Sequence, residues 1–258
     1  MQYFTYTLGQ IRPNDKVAEH GRSLFGRQAQ TSPARHVDSG DTWPQDALGI
    51  LVCAVPEDTS GNIDPQANAW IEAAPAGQRL ELIYRSVRIV WKSGRTLVVG
   101  PSGLVDAALS AILDYALLSE QMRQIDEQAM ALGHALAAWQ GAGEAGKDLA
   151  PLRAQLAQAT QLSLRLVDLR PYCDLPARTG DASPAMRLRT ELLTQAQTSD
   201  TLGLFEHRLE LVCLGLENRL QRTGEAKRGQ WELGIGITIV VILVIEFFTS
   251  LALELFYN

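Results

Sequence analysis

The sequence predicts an α+β protein: a small N-terminal sheet-containing domain, then a long-helix bundle with a coiled-coil stalk, and one C-terminal transmembrane helix. Three observations predict it. Residues 48–99 carry strand patterns with a tight turn; beyond residue 102, Ala, Leu, Gln and Glu displace Gly and the β-branched residues; and residues 233–256 read LGIGITIVVILVIEFFTSLALELF, an apolar run interrupted only by Glu246 and Glu254.

In chain order, residues 3–8 alternate weakly and read as a strand. Residues 12–47 are rich in Gly, Ser, Pro, Asp and Arg without a sustained period, the composition of a long loop. LGILVCAV, at 48–55, is a short continuous apolar run, the pattern of a strand buried on both faces. Residues 80–91 alternate with period two and slip near Arg85, which a β-bulge would explain. Lys92-Ser93-Gly94 then turns into RTLVV at 95–99, making a hairpin. These segments define a head domain over residues 1–100.

A helical bundle is expected over 101–200. One long helical pattern covers 104–139, GAGEAG at 141–146 breaks it, and a second covers 149–169. In that second pattern Leu149, Leu152, Leu156, Ala159, Leu162, Leu166 and Leu169 recur in threes and fours, keeping one stripe against a partner. Pro171 and Pro176 are expected to end it, residues 177–184 to loop, and 185–197 to form a further helix. Leu202, Phe205, Leu209, Val212, Leu216 and Leu220 form another seam, assigned to a stalk helix over 201–230. Without a proline from 201 onward, one helix of about 50 residues could run into the membrane segment at 231–256, with a break near Gly224 and Gly229 as the alternative.

The terminal run is long enough to span a bilayer, since about 20 helical residues cover a hydrocarbon core of about 30 Å. Its sixteen Leu, Ile, Val and Phe residues contribute about −0.3 to −0.6 kcal/mol each near the centre. They outweigh one central carboxyl at about +2.5 to +3.5 kcal/mol. Arg219, Arg222, Lys227 and Arg228 precede the run and only Tyr257 and Asn258 follow it, so the N-terminal side is expected in the cytoplasm. MQYFTYTLGQ has neither a basic n-region nor an apolar h-region, which together with the terminal run gives the layout of a tail-anchored protein. Trp231, Lys227 and Arg228 are the expected interfacial anchors.

Within the span, Thr238, Glu246, Thr249, Ser250 and Glu254 fall on about 160° of the circumference at about 100° per residue. Intramembrane ionisable groups face protein or water as a rule, so Glu246, with Thr238, Thr249 and Ser250, is read as a helix interface; a passive anchor and an ion pathway are the alternatives.

Elsewhere the sequence mostly excludes. A net charge of −6 argues against a nucleic-acid surface. Cys53, Cys173 and Cys213 are widely spaced and give neither a disulfide framework nor a zinc site. His20, His36, His134 and His207 lie at no metal-ligand spacing, and Glu57-Asp58, Asp38 and Asp41 have no nearby base or nucleophile. A non-enzyme without cofactor or metal is therefore expected. Gly100, Ser102 and Gly103 follow a strand and open a helix, a place where an anion can be cradled, although Ser102 as a helix cap after a Gly-Pro turn accounts for the same residues. Tyr115, Met122 and Trp139 on the first long helix could line a ligand groove, but such residues at helical spacing are more often core.

LVDAALSAILDYALLSEQM after the sheet, RLELVCLGLENRL before a short basic stretch, and WELGIGITIVVILVIEFF in the last run together resemble the "required for meiotic nuclear division" (sporulation, uncharacterised-domain) family. The carrying features are the small-residue and leucine helix at 109–120, the stretch from His207-Arg208 to Asn218-Arg219, and Ile245-Glu246 within the span. The family's aromatic Phe-Phe-Trp segment is replaced here by Pro171-Tyr172-Cys173-Asp174. The resemblance implies an oligomeric, membrane-anchored, non-enzymatic protein; eukaryotic members act in mitochondria and support organelle translation by tethering. High Ala and Arg content, with no transit peptide, leads instead to a single-pass protein of a bacterial inner membrane with its N-terminus in the cytoplasm.

The expected function is an oligomeric tail-anchored scaffold or tether whose partners are the lipid bilayer, further copies of the chain and a cytosolic protein. A subunit of a homo-oligomeric ion channel or transporter is the second reading, and a membrane-bound enzyme or defence effector the third.

Overall fold

The computed structural model describes residues 1–10, 21–24, 27–32, 35–36, 48–54, 63–139, 149–173 and 183–257; some side chains, among them those from residue 242 onward, lie outside the description. The class is α+β, an N-terminal sheet followed by long helices. The chain divides into two compact units, Met1–Asp126 with Arg165–Phe205, and Glu127–Leu164 with Glu206–Asn258. The division falls inside helices rather than at residue 100.

The sheet of the first unit holds eight strands among the described residues: β1 (Gln2–Gln10), β2 (Gly21–Leu24), β3 (Arg27–Thr31), β4 (Arg35–His36), β5 (Gly49–Ala54), β6 (Arg79–Tyr84), β7 (Val87–Lys92) and β8 (Arg95–Gly100). Their spatial order is β2-β3-β1-β5-β8-β7-β6, with β4 also on β1. Only β5 and β8 pair in parallel; every other pair is antiparallel. The central strand β5 is buried over its first four residues, as its uninterrupted apolar run requires.

Three details differ from the sequence reading. The stretch expected to be a loop contains β2, β3 and β4, which extend the sheet beyond β1. Strands at that edge do not need an apolar alternation, so GRSL and RQAQT carry none. Near Arg85 there is no bulge: β6 and β7 pair in unbroken register from Arg79↔Lys92 to Tyr84↔Val87, and the slip is the two-residue turn Arg85-Ser86, with Arg85 at φ 53°. The next turn, Ser93-Gly94, has positive φ at both residues (46° and 86°), the combination that a two-residue hairpin favours because its twist matches that of the strands.

Helix α1 (Pro65–Glu72) covers one face of the sheet. Asp64 caps it, accepting from the Gln66 N–H at 2.8 Å, and Pro65 occupies the first position, where its missing donor costs nothing. Ala67, Trp70 and Ile71 face Tyr3, Leu51, Val90, Leu97 and Val99. At its C-terminal end the same face turns charged: Glu72 accepts from Lys92 at 3.0 Å and from Arg79, and Glu81 pairs with Arg79 and Arg88. The Lys92 hydrogen bond, aided by Arg79, holds the Glu72 carboxyl below its usual range.

On the opposite face Tyr6, Trp91 and Tyr115 form an aromatic chain, Tyr6 to Trp91 at 6.4 Å and Trp91 edge-on to Tyr115 at 5.1 Å. Tyr115 belongs to α2 (Ser102–Trp139), which is buried nearly all round at residues 108, 109, 111–113 and 115–118. α3 (Ala150–Cys173) runs past Pro171 instead of ending there. Only the last turn remains after the proline, so one missing N–H is tolerated, and the Tyr172 carbonyl accepts from Arg189 Nη2 at 3.1 Å. Ser183 caps α4 (Pro184–Gln195), accepting from the Met186 N–H at 3.3 Å. The flexible break assigned to residues 141–146 lies outside the described residues.

The second unit combines the last part of α2 and the first part of α3 with α5 (Thr198–Tyr257) from Glu206 onward; α5 is one unbroken 60-residue helix through Gly224 and Gly229. Its core includes Ala129, Leu132, Leu152, Ala159, Leu162, Leu209, Val212 and Leu216. Glycine permits the close approach: a Cβ at Gly215 would stand 2.5 Å from Leu136 Cδ2. The seam at Leu209, Val212 and Leu216 is thus buried within the chain, not left open along a free stalk.

Candidate functional site

Two regions hold the residues singled out from sequence. In the first, α5 changes character after Glu232. Trp231, Leu233, Ile235, Ile237, Ile239, Val240 and Val241 are all between 50% and 75% exposed, and every residue from 231 to 241 is exposed. Successive helical residues point about 100° apart, so this surface is apolar on all sides. Thr238 does not leave a donor unmet: its hydroxyl donates to the Gly234 carbonyl at 2.9 Å. Arg228 pairs with Glu232 at 3.3 Å, one turn along, with both side chains well exposed. The side chains of Lys227, Glu246, Thr249 and Ser250 lie outside the described residues; their backbones belong to α5.

By length and composition one described helix, Ser102–Ala138, is apolar enough to cross a membrane, and half of its most apolar window is buried inside the protein. Core helices meet the same criterion, and α2 packs Tyr115 onto Trp91 of the sheet. Trp231–Val241 is the described part of the terminal apolar segment.

The second region is a cavity of about 610 Å³ at the carboxyl ends of the parallel pair β5 and β8, lined among others by His36, Cys53, Asp64, Ser102 and Asp106. The carboxyl edge of parallel strands is where α/β sheets bind ligands, because helix N-termini converge there. Ser102 lines it, whereas Gly100 and Gly103 do not. Pro101, not Ser102, caps α2: its carbonyl accepts from the Leu104 N–H at 3.0 Å, and Ser102 is the first helical residue. Gly100 is needed for packing, since a Cβ there would stand 3.0 Å from Val87 Cγ2 and 3.2 Å from its Cα; at Gly103 it would meet nothing within 4 Å. Burial pushes the Cys53 thiol up, opposed by the N-terminal ammonium and reinforced by Asp64. Four separate elements bring these residues together, and no local spacing announces them. No metal-holding group of three His, Cys, Asp or Glu occurs among the described residues.

The sequence matches no family model and no curated protein.

Proposed function

We propose that the chain is an oligomeric, membrane-anchored scaffold: residues 231–256 cross the bilayer as the last part of α5, and the preceding residues present a cytoplasmic surface to a protein partner. One observation carries this reading. The helix surface from 233 to 241 is apolar and exposed on every side, which is unfavourable in water at about 25 cal/mol per Å² and natural in lipid. A helix keeps its backbone groups paired there, and the Thr238–Gly234 bond does the same for the hydroxyl.

Trp231, Arg228 and Lys227 take the headgroup level. Because the seam of α5 is already covered within the chain, self-association falls to the span. Gly234, Gly236 and Thr238 offer small residues for close helix approach, while Glu246, Thr249 and Ser250 add polar groups on the stripe read from sequence. The resemblance to a family of membrane-anchored tethers points the same way.

Extraction of expressing cells with alkaline carbonate tests the anchor. The full chain is expected in the membrane pellet and a chain cut after Gln230 in the supernatant; full-length protein in the supernatant defeats the proposal. Mass measurement in native lipid tests the assembly: the wild type is expected as an oligomer and Glu246→Leu as smaller species, an unchanged oligomer removing Glu246 from the interface.

A further inference from the structure

The seam that α5 buries within the chain leaves its other side open. In the second unit Leu209, Val212, Leu216 and Thr223 are buried, whereas His207, Leu211, Leu214, Asn218 and Gln221 are all exposed, Leu211 at 56% and Leu214 at 48%. The exposed set recurs at alternating fours and threes, the a and d positions of a heptad, and so forms one narrow stripe. Glu210, Glu217 and Arg222, which flank it, are exposed too, leaving room for a second helix to lie along it.

Three features say what covers the stripe. Counting on by sevens, Leu211 and Asn218 lead to Ile239 and Glu246, and Leu214 leads to Ile235 and Thr249, so the stripe shares its register with the polar side of the span. The helix between them is unbroken, and a left-handed supercoil of two chains absorbs the drift of about 20° per heptad. Secondly, copies anchored in one bilayer run parallel. In a parallel pair the residue before an a position meets the residue five further along in the other chain, which sets Glu217 against Arg222 of the second copy, twice over. Thirdly, Asn218 is an amide at an a position beside two leucine layers, the residue that fixes register and chain number in coiled coils.

Beyond Gln221 the same positions turn charged and are engaged within their own helix: Gln221 Nε2 donates to Glu225 at 2.9 Å, and Arg228 pairs with Glu232 at 3.3 Å. Paired copies therefore touch in two patches, at residues 211–218 and again in the lipid. Two leucine layers bury far less than the roughly 1,200–2,000 Å² of a stable soluble complex, so the shared membrane supplies the remainder by raising the effective concentration.

We propose that Leu211, Leu214 and Asn218 pack against the same residues of a second copy of this chain, in a parallel two-stranded coil ahead of the membrane segment. This rests on the reading that the chain assembles through its span, and extends that contact out of the lipid.

Photo-cross-linking of the full chain in membranes of expressing cells tests it, with p-benzoylphenylalanine placed at Leu214 or, as a control of similar exposure off the stripe, at Leu164, 61% exposed on α3. A product of two chains is expected at Leu214 and none at Leu164. Glu217→Arg should cut the Leu214 product about fivefold, because two attractive contacts become repulsive, and adding Arg222→Glu should restore it. Both side chains are exposed, so neither change should lower the thermal midpoint. Equal products at the two positions, a Leu214 product joined to a different protein, or a product indifferent to charge reversal each overturn the proposal. An oligomer by mass in native lipid with no Leu214 product defeats this inference and leaves the span reading standing; a monomer by mass removes both.

Discussion

Arg95 donates from Nη1 to the backbone carbonyl oxygen of Trp70 at 2.9 Å, and its Cζ stands 5.2 Å from the centre of the Trp70 ring. The carbonyl is one that the end of α1 leaves over, since the N–H groups of Ala73 and Ala74 go to Ala69 and Ile71. A guanidinium only 4% exposed thus caps a helix C-terminus and stacks on the same residue's side chain. Arg95→Lys keeps the charge and loses the planar fork, so it should destabilise the protein by about 1.5–3 kcal/mol in urea denaturation. A loss under about 0.5 kcal/mol would show that the charge alone suffices.

Two glycines should respond in opposite directions to alanine. At Gly49 a Cβ would collide with the Tyr3 hydroxyl and stand 2.8 Å from its ring, which is buried edge-on against Trp70. Gly49→Ala should cost about 1–3 kcal/mol. Gly203 is exposed in α5 with nothing within 4 Å of the new carbon, so Gly203→Ala should gain about 0.5–1 kcal/mol. Denaturant midpoints of the two variants, read against the wild type, decide both.

Alkaline stability should depend on Tyr6. Burial, with smaller contributions from Tyr115 and Tyr3, raises its phenol far above the usual value, and the hydroxyl donates to the Gly94 carbonyl at 2.8 Å. The folded form resists ionisation while the unfolded chain ionises near pH 10. Stability from this group is therefore complete below about pH 10 and lost as pH rises beyond it. Denaturation curves from pH 8 to 11 should show that decline, and Tyr6→Phe should flatten it while lowering stability at pH 8; a decline equal in both proteins assigns it elsewhere.

Cys53 should be a slow thiol. Its pKa is raised and its side chain half-buried at the edge of the cavity beside β5 and β8, so little thiolate forms at neutral pH. Ellman's reagent at pH 7.5 should label it at least tenfold more slowly in the native protein than in urea, with the rate climbing above pH 9. Native labelling as fast as in urea would contradict its placement.

Much of the architecture was legible because burial leaves a period behind. β5 sits between two strands and is apolar throughout, whereas β6 is open on one face and alternates; each pattern states its place. The stripe through Leu152, Ala159, Leu162 and Leu166, like that through Leu209, Val212 and Leu216, is buried. What the stripes could not convey was that their partners lie in the same chain. α1 carries a short signature of its own, for Asp64-Pro65 followed by Ala67, Trp70 and Ile71 is a cap, a first-turn proline and an apolar face in eight residues, too few to stand out as a period. The edge strands β2 to β4 are held by backbone pairing with β1 and one another, which side-chain periodicity does not record. The cavity beside β5 and β8, and a smaller one between α2 and the start of α5, were each legible only in part: Ser102, and Tyr115 with Met122, stand out in the sequence, but Cys53 and Asp106, or Tyr115 and Thr198, meet only once distant segments fold together.

The interleaving of the two units sets an order of events during synthesis. The unit containing the sheet takes helical residues from Arg165–Phe205, so a nascent chain that has released Met1–Asp126 holds every strand but not the segment that completes the unit. The buried leucines at 188, 192, 193 and 202 arrive only after the whole of Glu127–Leu164 has emerged. Until then the apolar face of α2 has lost part of its cover, and a chaperone acting on this protein would be engaged over that interval. Completion of the first unit comes shortly before the apolar end of α5 leaves the ribosome, which brings the folding of one part and the sequestration of the other into kinetic competition.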